Sequence, residues 1–117
     1  MTAKRGSGPE LASVTVLPLR KRYKPALFAR VVGELDRRSA ALAAELGGKV
    51  IARRSIVVAG IRSRQYDLAH EQSGLGLVDQ ITYVLRGKSE YYLFCRRPAK
   101  EGGSPACPLL TSSLRIR

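Results

Sequence analysis

The chain has one histidine, no tryptophan, one methionine and only two cysteines among 117 residues. Each shortage removes a class of chemistry. Neither Cys95 nor Cys107 has a second cysteine at zinc-ligand spacing, and His70 is the sole imidazole, so no metal site is expected. The nucleophile-elbow, phosphate-loop and dinucleotide glycine patterns are missing, and Gly74-Leu75-Gly76 is too short to stand for the last. No cofactor is expected. His70 could serve as a base, but a lone histidine at a strand end is more often structural, and the acids are scattered. A catalytic role is therefore not expected. No apolar run approaches the ~20 residues that cross a bilayer. Met1 to Glu10 lack the apolar stretch of a secretory signal, which read literally leaves the protein in the cytosol.

Negative charge is also scarce. Lysine and arginine number 21 against nine acids, for a net charge of +12 and a pI near 10.5. Such an excess attracts phosphate backbones, anionic lipid and acidic proteins. The same arginine-, alanine- and leucine-rich mix is also what a GC-rich genome writes into any surface. The arginines are scattered along the chain, whereas a nucleic-acid footprint clusters on one face. Tyr91-Tyr92-Leu93-Phe94 lacks the glycine and basic residues of an RNA-binding strand motif. A cytosolic nucleic-acid-binding domain is thus the alternative reading, behind docking on a protein or an anionic envelope component.

What is present describes one α+β domain. A hydrophobic content of 44% supports a core over residues 11–117, preceded by a polar, flexible lead at 1–10. Leu11 to Leu19 alternates as a strand, and Pro18 places it at an edge or at its end. Pro25 opens a helix that runs to Leu46 and stops at Gly47-Gly48, with Leu27, Val31, Leu35, Leu42 and Leu46 as the sheet-facing stripe. Lys49 to Val58 and Ile61 to His70 form strands around an Ala59-Gly60 turn, with Tyr66, Leu68 and His70 on one face. Glu71 to Gly76 reads as a polar loop. Leu77 to Arg97 is the centre of the fold: two aromatic-rich runs around Gly87-Lys88 predict a β-hairpin with a glycine-first turn, Arg86 facing Ser89 and both faces covered.

Ser104-Pro105 then starts a short helix over Ala106 to Ser112, and Leu114 to Arg117 alternates as a final strand. A Cys95–Cys107 disulfide would tie that helix to the sheet, worth about 2–3 kcal/mol, and would point to an extracytoplasmic location. The alternative is two buried thiols. With a two-residue Ala59-Gly60 turn, Arg53, Arg62 and Arg64 share a side of the sheet. Together with Arg20, Lys21 and Arg22 they are the candidate basic binding residues, against the plainer reading of a solvated sheet edge.

Three segments carry a resemblance: Ile56-Val57-Val58-Ala59-Gly60 with Arg64-Gln65-Tyr66, Ile81 to Leu85 with Tyr91-Tyr92-Leu93, and Cys107 to Arg115. Over Leu11 to Arg117 the chain resembles the PsbP-like and Mog-like α/β sandwich families, particularly their small secreted or lipid-anchored bacterial members. The resemblance implies an antiparallel sheet between a long helix and a short C-terminal one, and a non-catalytic docking role. It departs at the front. Such domains open with an extra β-hairpin preceded by a signal or lipobox, and a truncated start would account for both differences.

Overall fold

The computed structural model describes residues 2–4, 11–99 and 107, with side chains from Ala12 onward. Its strands are β1 (Thr2–Lys4), β2 (Leu11–Tyr23), β3 (Lys49–Val58), β4 (Ile61–Gln72) and β5 (Leu75–Pro98). A 3₁₀ turn, Pro25–Leu27, leads into helix α1 (Phe28–Glu45). All strand pairs are antiparallel, in the order β1-β2-β5-β4-β3. The expected α+β class, an antiparallel sheet with one long helix packed on it, holds.

The 24 residues of β5 cannot lie straight, because they would reach about 80 Å in a molecule whose longest dimension is 41 Å. They double back. Tyr83 meets Tyr92 edge to face at 5.4 Å, Arg96 reaches Asp79 at 2.7 Å, and the Ala99 amide donates to the Gly76 carbonyl at 3.0 Å. Each contact joins positions equidistant from the Gly87-Lys88 step, and Gly87 has a left-handed φ of 58°. That geometry suits glycine at the first position of a tight turn. β5 is therefore the expected hairpin, a ribbon whose first arm pairs with β4 and whose second arm pairs with β2. Consecutive residues Ile81, Thr82, Tyr83 and Val84 are all buried, so both faces of the ribbon are covered.

The α1 stripe packs on one face, where Leu35 and Ala43 meet Tyr66, Leu68, Ile81 and Tyr83, with Val31, Leu42 and Leu46 beside them. The helix ends as its double glycine predicts. The Gly48 amide bonds the Ala43 carbonyl and the Gly47 amide bonds the Ala44 carbonyl, with Gly47 left-handed. Gly48 then passes so close to β4 that a Cβ there would lie 2.0 Å from the Ala69 carbonyl oxygen. On the other face Val58, Val84 and Leu93 form a second cluster with Val14, Ile56, Ile61 and Tyr91. The disulfide Cys95–Cys107 is formed, and it holds Cys107 against Cys95 and Ala12 on that face.

Three boundaries differ from the expectation. Thr2–Lys4 of the supposed lead pairs with Leu11–Ser13, because the outer edge of β2 offers backbone donors and acceptors that any short segment can use. β2 continues past Leu19 to Tyr23, with an irregular register after Pro18 where the proline withholds its donor. The expected loop Glu71–Gly76 is a two-residue turn instead, since Ser73 and Gly74 both adopt left-handed φ and let Gln72 face Leu75. Cys107 is helical, while the rest of the expected helix Ala106–Ser112 and the strand Leu114–Arg117 lie outside the described residues.

Candidate functional site

The sheet has two ends. At one, the β5 bend, the Ala59-Gly60 turn, the end of β2 and the start of α1 come together. Their meeting point is a pocket of about 490 Å³ lined by Tyr23, Pro25, Phe28, Ile61, Arg62 and Leu85, with Arg86 and the backbone of Gly60 and Gly87. A second pocket of about 270 Å³ adjoins it across Tyr23 and Leu85 and carries Arg20, Lys21, Arg22 and Arg30. The walls are largely apolar and the rim is cationic. Glu34 and Glu90 are the acids of the second pocket, and the first has none.

Why the cations gather here follows from the strands. β2 delivers Arg20-Lys21-Arg22 as it curls around the ribbon tip, bringing an Arg22 nitrogen within 3.8 Å of where a Gly87 Cβ would sit. β4 delivers Arg62, whose guanidinium lies over the Phe28 ring at 4.4 Å. Burial raises the Tyr23 phenol above its ordinary range, with Arg62 pulling the other way. Among the described residues, none of Arg20, Lys21, Arg22 and Arg62 has a carboxylate within salt-bridge distance.

The six candidate basic residues divide accordingly. Arg20, Lys21, Arg22 and Arg62 gather at this end. Arg64 does not join them: it is drawn under α1, bonding Asp36 at 3.2 Å and Ser55 Oγ at 3.2 Å. Arg53 lines a different pocket, of about 290 Å³, with Asp36 and Tyr66. Burial alone would raise the Asp36 carboxyl. Hydrogen bonds from Tyr66 and Arg64, with the charges of Arg64 and Arg53, outweigh it and hold the group below its usual range. The same contact with Asp36, added to burial, pushes the Tyr66 phenol strongly upward. Strand alternation alone put Arg53, Arg62 and Arg64 together. The helix, which supplies Asp36, separates them.

Three further arginines are consumed by acids across the sheet. Arg38 from α1 reaches Glu90 at 3.1 Å rather than Glu34 one turn away. Arg54 bonds Asp67 and Gln65, and Gln65 passes the row on to Thr82 at 2.8 Å. Arg96 holds Asp79 through two nitrogens, at 2.7 and 2.9 Å.

Asp79 also accepts from His70 Nε2 at 2.9 Å, which leaves His70 Nδ1 buried and without a hydrogen-bond partner among the described residues. His70 borders the pocket at the opposite end of the sheet, about 680 Å³ and lined by Gly47, Gly48, Lys49, Glu71 and Gly76. Both cysteines are oxidised and lie on the far face, so no thiol stands beside the imidazole. Among the described residues no group of three His, Cys, Asp or Glu side chains could hold a metal ion.

A scan of the chain against protein-family models finds no match. A search of curated proteins also finds none. Sequence reasoning missed Arg30 and Arg86 as members of the basic end. The available signal was the ribbon turn itself, since a hairpin tip flanked by Arg86 and Lys88 must sit beside whichever strand ends are its neighbours.

Proposed function

We propose that this protein is a non-catalytic binding domain that docks its basic end on an anionic partner, a protein or an envelope component. One observation carries the reading: Arg20, Lys21, Arg22 and Arg62, from two separate strands, line two adjoining apolar-walled pockets, and among the described residues none of the four is salt-bridged to a carboxylate, although Glu34 and Glu90 line the second pocket. Uncompensated cations around a concavity concentrate anions there. The acid-bound arginines elsewhere make no such field. The oxidation of both cysteines supports a non-catalytic role, since it removes the thiol nucleophile that His70 could have activated.

The disulfide supports an extracytoplasmic site of action, where such bonds persist. Helical Cys107, held against the face opposite α1, supports the finer fold reading of a PsbP-like or Mog-like sandwich. A nucleic-acid partner is less well supported, because Tyr23 and Phe28 are buried and offer no open ring for base stacking.

The test is retention on immobilised heparin as salt is raised. Arg20→Glu, Arg22→Glu and Arg62→Glu combined should elute at far lower salt than the parent. Equal elution of the two proteins would remove the docking site from this end.

A further inference from the structure

The basic end carries a second feature that charge alone does not explain. Large apolar side chains stand in water beside the cations: Val57 is 71% exposed, Val16 56% and Leu17 42%. Val57 lies opposite Arg62 beside the Ala59-Gly60 turn, and Leu17 lies opposite Glu90 near the ribbon bend. Val57 is thus the cross-strand neighbour of Arg62, which lines the larger pocket with Leu85, Ile61 and Pro25, and Leu17 that of Glu90, which lines the smaller one.

We propose that the anionic partner is a bilayer surface rich in acidic phospholipid, on which this end of the sheet seats with its cations among the headgroup phosphates and Val57 and Leu17 at the acyl boundary. The inference rests on the docking reading above and names its partner. The interfacial layer of a membrane accepts both kinds of side chain at once, gaining from apolar burial and from attraction to anionic lipid. Arginine suits it, because the aliphatic stem can lie along apolar surface while the guanidinium stays with phosphate. Each basic residue near an anionic leaflet raises partitioning about fivefold. A duplex phosphate backbone would use the charges and leave the valines and leucine with no role. A single strand would need exposed rings, and Tyr23 and Phe28 are buried.

The experiment is cosedimentation of the full chain with phosphatidylcholine vesicles, with and without phosphatidylglycerol. Binding should require phosphatidylglycerol. It should fall by at least about a hundredfold with the triple change Arg20→Glu, Arg22→Glu, Arg62→Glu, since the loss of three cations alone is worth that much. It should fall about tenfold with Val57→Asp. Should Val57→Asp disturb the thermal melt, Leu17→Asp replaces it.

Retention on heparin without binding to phosphatidylglycerol vesicles would overturn the lipid partner and leave the docking reading standing. Vesicle binding indifferent to both Val57→Asp and Leu17→Asp would also overturn it, since the protein would then be held by phosphate attraction alone. Loss of both heparin and vesicle binding would bring down both readings.

Discussion

The two ends of the sheet are built from the same few residue types and put them to opposite uses. At the end where α1 stops, Arg96 and His70 converge on one buried carboxylate, Asp79, while Gly48 presses against the backbone of β4. At the ribbon tip Arg20, Lys21, Arg22 and Arg62 surround open pockets and face solvent. What separates the two is the placement of the acids. Asp36, Asp67, Asp79 and Glu90, four of the nine in the chain, are each bound to an arginine or, for Asp79, to an arginine and a histidine. An arginine beside one of them is a structural tie, and an arginine beyond their reach remains available to a partner. A large net charge therefore says little until each cation's neighbour is known.

The difference can be broken by substitutions that should separate stability from binding. The largest effect belongs to Asp79→Ala, which leaves Arg96 and His70 facing a vacated buried site; about 3–5 kcal/mol of stability should be lost in urea unfolding. A loss below about 1 kcal/mol would show that the closed end is not held by charge. Reducing the disulfide comes next. Unfolding with and without reductant should differ by about 2–3 kcal/mol, as loop-closure arguments give for a bridge spanning 12 residues.

The third effect is a dependence on acid. Asp36 is held below its ordinary value, so the unfolded chain takes up the proton at higher pH than the folded one. Its contribution is therefore complete above the ordinary value of 3.8 and is lost as pH falls through the folded value. Asp36→Asn should flatten that part of the acid-unfolding curve, while Tyr66→Phe, which removes one hydrogen bond to Asp36, should cost about 1 kcal/mol near neutrality. A parent and Asp36→Asn protein with superimposable acid limbs would contradict the assignment. The smallest effect is expected at the tip. The triple change Arg20→Glu, Arg22→Glu, Arg62→Glu should cost no more than about 1 kcal/mol, the worth of the Arg62 contact with the Phe28 ring, because no carboxylate loses its partner. A larger drop in a thermal melt would mean that these cations belong to the structural class after all.

Much of the fold was readable from local pattern. The Pro25 start, the Gly47-Gly48 stop, β3 from Lys49 to Val58, the Ala59-Gly60 turn and the ribbon around Gly87-Lys88 all follow from turn chemistry and alternation. The places of Cys95 at a strand end and Cys107 at a helix start favour a disulfide over two buried thiols for the same kind of reason. The Ser73-Gly74 turn is not legible in the sequence because serine rarely takes the left-handed conformation that a two-residue turn asks of both its positions. The site was only half readable. Alternation shows that Arg53, Arg62 and Arg64 share a face, but Asp36 comes to Arg64 from 28 residues away on α1, and no periodicity reveals that meeting. Arg30 and Arg86 escaped for the same reason, since their nearness to Arg22 depends on strand order.

The strand order also bears on how the chain assembles. β3, β4 and the two arms of β5 follow one another through tight turns, so each can pair with a neighbour already close in sequence. β2 must instead find the second arm across an interval that contains the helix, β3, β4 and the first arm, Leu11 meeting Arg96. Such distant pairing bears the greatest entropy of closure and comes late. In pulsed hydrogen exchange, amides shared by β3, β4 and the ribbon should gain protection before those of β2, and the basic end, which needs Arg20 to Arg22 beside Arg62, would be the last part of the molecule to exist.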